Sequence, residues 1–204
     1  MRLAAENLTL ERGGRRLFAN LSFEAKAGEA LVVTGPNGAG KSSLLRGLAG
    51  FLPFASGAVR LEGGAASLQE QAHYLGHADA LKAALTAAEN LGFWAEMLGG
   101  RAANVAPALA RLWLPHVADF PVRALSAGQK RRVALARLLV APRALWLLDE
   151  PTTALDAGAQ TLFAGIMRAH LETGGIVVAA THAPLGLEGA KSVRLEGARV
   201  GAAA

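Results

Sequence analysis

Residues 35–43 read GPNGAGKSS, and this stretch decides the fold class. Its spacing is G-x-x-x-x-G-K-[ST]. It follows the nearly all-apolar run Glu29–Thr34 (EALVVT) and opens a helical pattern over Ser42–Leu48, closed by Gly50 and Pro53. A buried strand, a glycine-rich turn and a helix start in that order form a phosphate-cradling loop. Gly35, Gly38 and Gly40, with Pro36, Asn37 and Ala39 between them, let backbone N–H groups point inward, and the helix N-terminus adds partial positive charge. In this reading Lys41 reaches the β- and γ-phosphates of a nucleotide, Ser42 ligates Mg2+, and Ser43 closes the motif. The plain alternative is a glycine turn without a ligand, and the strand–helix context counts against it.

Outward from this loop the chain alternates strand and helix. Leu3–Leu10 and Leu17–Glu24 read as strands around a Gly13-Gly14 turn, and Val59–Leu61 as a short strand before Gly63-Gly64. From about Leu81 to Leu125 the pattern is helical, with alanine-rich segments broken by Gly99-Gly100, Pro107, Pro115 and Pro121. Ser126–Val140 reads as a helix stopping before Pro142, Ala144–Leu148 as a buried strand ending in Asp149, Ala157–Leu171 as helix and Ile176–Thr181 as strand. Val193–Val200 reads as a turn at Glu196-Gly197. This order predicts an α/β fold with a mostly parallel core sheet, helices on both faces and an antiparallel β part at the N-terminus. It predicts a single domain over 1–204 with a helical subdomain, about 81–140, inserted in the core.

Composition bounds the rest. The 204 residues carry 21 Lys+Arg against 16 Asp+Glu, a formal charge of +5, and no cysteine, which excludes disulfide staples, thiolate metal sites and iron–sulfur clusters. Hydrophobic residues make up 52%, much of it alanine, and no apolar run approaches the roughly 20 residues of a membrane span. The first residues, MRLAAENLTLERGG, alternate and carry early charge, unlike a signal peptide. The basic balance admits nucleic acid, an anionic membrane surface or a phosphorylated ligand.

Two further stretches carry chemistry. Leu145–Pro151 (LWLLDEP) ends a buried strand in Asp149, which puts that carboxylate at the crevice beyond the strand end, suited to hold Mg2+. The next residue, Glu150, is placed to orient and deprotonate an attacking water. In LSAGQKRRVALAR, Ser126 followed by Gln129 forms a capping box that starts a helix. Lys130, Arg131 and Arg132 then stand in the first turn, where the helix dipole disfavours cations. An anion at that terminus would relieve the conflict, so it reads as a second phosphate-binding surface.

GPNGAGKSS, LSAGQKRRVALARLL, LWLLDEP, Ala154-Leu155-Asp156 and Thr181-His182 stand in the order and approximate spacing of the ATP-binding cassette (ABC) family, which the chain resembles over nearly its whole length. The resemblance implies an ATP hydrolase that pairs head to tail with a second copy of itself, each ATP lying between one phosphate loop and the opposite signature helix. Ser126, Gly128 and Gln129 would then serve the partner's nucleotide, Asp156 the loop that communicates across the dimer, and His182 a catalytic contact to the γ-phosphate. His116 and His170 read as structural. The adenine-stacking aromatic of the family is replaced by Arg12. At the position of the family's Mg2+-contacting glutamine stands His77, or Ala78 in a register offset by one, and the signature has Ala127 where glycine is commoner.

Finer features are similar to the ATP-binding subunits of haem exporters of cytochrome c biogenesis. They include Trp146, YLGHADALKAALTAAENL in the glutamine region, and GGIVVAATHAPL. The chain closes soon after His182, so the expectation is one cassette without an appended regulatory domain. That resemblance implies integral membrane subunits as partners and a peripheral place on the cytoplasmic face of the inner membrane, with an apolar docking groove on the helical subdomain and no nucleic acid. The alternatives are the ATPase of another small ABC exporter, or a soluble nucleotide-gated protein acting on nucleic acid. Substrate and direction of transport are not readable from these residues.

Overall fold

The computed structural model describes residues 1–64 and 66–196. In chain order the elements are β1 (Arg2–Arg12), β2 (Arg15–Lys26), β3 (Ala30–Thr34), α1 (Lys41–Leu48), β4 (Ser56–Glu62), β5 (Ala72–Leu75) and α2 (Ala87–Met97). They continue with α3 (Val105–Arg111), α4 (Ala127–Val140), β6 (Leu145–Asp149), α5 (Ala157–Glu172), β7 (Ile176–Ala180) and β8 (Lys191–Arg194).

Two sheets result. One is antiparallel in order β2-β1-β4, with Gly13 and Gly14 both at positive φ in the hairpin turn. The other is parallel throughout, in order β5-β6-β7-β3-β8. Both β6 and β7 are buried at every position, as continuous apolar runs in a two-sided sheet must be. Side-chain alternation splits the core across the sheet. Leu145, Leu147, Ile176 and Val178 pack with α1 and the antiparallel sheet, whereas Trp146, Leu148, Val177 and Ala179 pack with α4, α5 and the helical part.

The helical segment expected over 81–140 holds α2, α3 and α4 plus short 3₁₀ turns at Ala102–Asn104, Pro115–Val117 and Val122–Ala124. Thr86 and Glu89 form a complete capping box on α2. Pro107 does not break a helix as the sequence reading had it. It sits in the first turn of α3, where its missing N–H has no intrahelical acceptor to lose. Strand β5 was not foreseen: four residues with His73 and Tyr74 among them are too few to show a period. It is an edge strand, recognisable only by its pairing with β6. Of the turn expected over Val193–Val200, the part from 197 onward lies outside the described residues.

His73 is buried on β5, and its Nε2–H donates to the Ala141 carbonyl at 2.7 Å. Burial pushes its pKa down from 6.5 to about 4, helped by the nearby charges of Arg137 and Arg143. The folded value lies below the unfolded one, so the neutral ring's full contribution holds above pH 6.5 and is lost as the pH falls toward 4. Its size is roughly 3 kcal/mol. Melting temperatures recorded across this range should fall more steeply for the natural chain than for His73→Gln, whose amide donates to the same carbonyl without titrating.

Candidate active site

The loop between β3 and α1 is shaped by its glycines. Gly35, Gly38 and Gly40 have φ of 138°, 80° and 101°, and a Cβ on Gly35 would lie 2.3 Å from the Leu195 carbonyl oxygen. Helix α1 has no side-chain cap and no acid in its first turn, so its leading N–H groups stay available for an anion. Lys41 Nζ donates to the carbonyls of Gly35 (2.8 Å) and Pro36 (3.2 Å), the loop thus closing around its own ammonium.

Strand order brings the other groups here. The ends of β6, β7 and β3 are neighbours, so Asp149, the Thr181-His182 turn and the glycine loop meet. Ser42 Oγ donates to Asp149 Oδ1 at 3.0 Å. Glu150 stands at φ 46°; its N–H donates to the Ala180 carbonyl at 2.8 Å and its Oε2 accepts from Thr181 Oγ1 at 3.0 Å. His182 Nε2 lies 3.2 Å from Asn37 Oδ1. The result is a cavity of about 370 Å3 with Lys41, Ser42, Asp149, Glu150 and His182 on its walls, and with Arg12 and Leu17 also lining it. An ammonium, a hydroxyl–carboxylate pair and a second carboxylate around one space suit a polyphosphate and a water attacking it. Thr181 reads in the sequence only as the neighbour of His182, with no role of its own; its hydroxyl bond to Glu150 is what the structure adds.

The remaining candidates do not line this cavity. Ser126 and Gln129 satisfy each other: Ser126 Oγ accepts the Gln129 N–H at 3.2 Å and Gln129 Oε1 accepts the Ser126 N–H at 2.9 Å. Asp156 caps α5, accepting the Ala159 N–H at 2.8 Å. Gly128 lies beside the loop carrying Asp156, since a Cβ there would stand 3.1 Å from the Ala154 carbonyl oxygen. The signature and the Asp156 loop therefore share a second surface. His77 and Ala78 line a separate groove between β5 and α2, of about 610 Å3, with Phe51, Tyr74, Trp94 and Arg137.

The basic cluster at the start of α4 needs correction. Arg131 does not wait for a phosphate. It is 3% exposed, and its guanidinium donates to the carbonyls of Gly76, Asp149, Glu150 and Pro151 and to the Asp79 carboxylate. Arg132 donates to the Leu112 carbonyl. The dipole conflict of Arg131 is thus met by protein acceptors. Its place on the buried stripe Arg131, Leu135, Leu138 is the helical-period signal that could have shown this.

A sequence profile described as ABC transporter matches residues 18–153. The cytochrome c biogenesis ATP-binding export protein CcmA of Nitrobacter winogradskyi is 55% identical over 200 residues, covering 97% of this chain and 100% of the relative. Those of Rhodopseudomonas palustris and Rhizobium meliloti are 56% and 53% identical, each over 97% of this chain and 100% and 99% of the relative. Among solved structures, a putative ABC transporter ATP-binding protein from Pyrococcus furiosus superposes with a TM-score of 0.83 at 20% identity, covering 96% of this chain and 98% of that one. An ATP-binding subunit of an ABC transporter does so at 0.84 and 24% identity, over 96% and 86%. The fold, the sequence profile and full-length relatives at this identity agree: the chain belongs to the ABC transporter family, alongside the CcmA-type ATP-binding export proteins.

Proposed function

We propose that this chain hydrolyses ATP to drive a membrane export complex serving cytochrome c biogenesis. The observation that carries the reading is the meeting of Lys41, the Ser42–Asp149 pair and Glu150 in one cavity. Lys41 exchanges its two loop carbonyls for the β- and γ-phosphate oxygens and offsets their charge. The Ser42 hydroxyl and Asp149 carboxylate are adjacent hard oxygen donors and would hold Mg2+; when bound, the ion neutralises charge on the phosphates. Glu150 takes the proton of the attacking water, and Thr181 holds its carboxylate in line. His182, held against Asn37, faces the terminal phosphate. Arg12 at the cavity offers its guanidinium plane to the base.

A second copy of the chain completes the site: Ser126, Gly128 and Gln129 close on the partner's ATP, with Asp156 between the two sites. No helix among the described residues is long and apolar enough to cross a membrane. As in ATP-binding subunits of transporters, force would pass to integral membrane subunits, and the groove at Phe51, Tyr74 and Trp94 is where one of their cytoplasmic segments docks. In this reading the protein works peripherally on the cytoplasmic face of the inner membrane, and nucleic acid has no part in it.

Glu150→Gln should lower ATP turnover by about a hundredfold or more while ATP binding persists, as measured by phosphate release and equilibrium nucleotide binding. Unchanged turnover would remove Glu150 from the mechanism. Phe51 is 66% exposed in the groove, so Phe51→Asp should deplete the protein from membranes that hold the export subunits, without shifting its melting temperature. Equal recovery of variant and natural protein in the membrane pellet would rule the groove out as the docking surface.

A further inference from the structure

Arg131 uses every N–H of its guanidinium. Nε donates to Pro151 O (3.1 Å), Nη1 to Gly76 O (3.1 Å) and Asp79 Oδ1 (3.0 Å), and Nη2 to Asp149 O (3.1 Å) and Glu150 O (2.7 Å). These acceptors come from two segments that touch different parts of the molecule. Asp149 ends β6 and Glu150 and Pro151 open the turn after it, inside or beside the catalytic cavity. Gly76 and Asp79 belong to the loop after β5, whose Gly76, His77, Ala78 and Ala80 line the groove.

Glu150 holds a left-handed backbone that L side chains rarely adopt, and such a residue keeps its place only where its neighbours over-determine it. Four bonds do so: its N–H to Ala180, its carboxylate to Thr181, and its carbonyl to the Thr153 N–H (3.3 Å) and to Arg131. Only the last reaches toward the groove. Arg131 is itself held by one charged partner, Asp79, whose side chain is 28% exposed. His77 and Ala78, the two candidates for the family's glutamine position, line the groove and not the cavity, so neither makes such a link in this structure.

We propose that Arg131 is a positioning residue for Glu150 and that its ion pair with Asp79 makes the loop lining the groove a control on hydrolysis: a segment docked there that moves Asp79 moves the catalytic turn with it. The proposal rests on the reading of Glu150 as the base. Lysine cannot replace Arg131, because one ammonium with three donors cannot span five acceptors in two segments.

The test measures ATP turnover at saturating nucleotide, affinity for a fluorescent ATP analogue and melting temperature, for the full chain alone and in membranes holding the assembled exporter. Asp79→Ala, a change on a partly exposed loop, and Arg131→Lys should each lower kcat about tenfold with nucleotide affinity held within about twofold. The double variant should be no slower than Arg131→Lys alone, since the two groups act as one unit. The ratio of assembled to free turnover should depart from unity for the natural chain and collapse to about one for Asp79→Ala. Undiminished kcat in Asp79→Ala, multiplicative losses in the double variant, or a loss of affinity and melting temperature parallel to kcat would each overturn the positioning role. A natural ratio of one, or the same ratio in Asp79→Ala, would overturn the control. Glu150→Gln in the same assay separates the layers. If it still turns over, the reading of the base fails; if it is inactive while Asp79→Ala runs at full rate, only the positioning fails.

Discussion

Strands that run parallel all end on the same side, and a sheet buried on both faces leaves its strand ends as the place where polar side chains reach water. Everything functional in this chain follows from that constraint. The order β6-β7-β3 puts three strand ends side by side, so a glycine loop meets an acidic pair and a Thr-His turn that each lie over a hundred positions further along the chain. The apolar runs of β6 and β7, packed by α1 on one face and by α4 and α5 on the other, hold those ends in register. The high hydrophobic content is thus spent on two cores separated by one sheet, and no helix among the described residues spans a membrane.

Charge placement follows the same economy. A net charge of +5 suggests a surface made for anions, yet Arg131, which read as an available cation, is buried, and so is Arg137. Arg137 lies over the Trp94 ring at 4.4 Å and donates to the Tyr74 carbonyl at 2.6 Å. Burial lowers its pKa to about 10, which leaves it protonated at neutral pH. Both arginines tie the helical part to the ends of the parallel sheet, so these cations hold the protein's own polar backbone together.

Much of this was legible beforehand, for reasons that are local. The glycine loop, the Ser126/Gln129 box and the LWLLDEP strand each carry their geometry in consecutive residues. What escaped was non-local. Strand β5 exists because Leu147 and Trp146 offer it an edge to pair with, not because AHYL has strand periodicity. Arg131 is read as an exposed cation until the carbonyls of Gly76 and Glu150 are known to converge on it, and no spacing rule reports distant carbonyls. His77, or Ala78 one register on, reads as the counterpart of the family's glutamine and so as a nucleotide contact, but the path of the loop after β5 carries both into the groove. Pro107 misled for the opposite reason: a breaker in mid-helix is a tolerated opener one turn in.

The ammonium of Lys41, already bonded to two carbonyls of its own loop, acts as a threshold. A ligand entering the cavity must outcompete an internal solvation shell that is worth keeping. Neutral or singly charged molecules have little to offer in exchange, whereas a polyphosphate brings several charged oxygens at once. Under the proposed function Arg12, which lines the cavity, takes the place of a flat aromatic ring and leaves less discrimination at the base end. Under the proposed function the pocket sorts molecules by valence before it sorts them by shape, and a phosphate count, not a nucleobase, is what it recognises first.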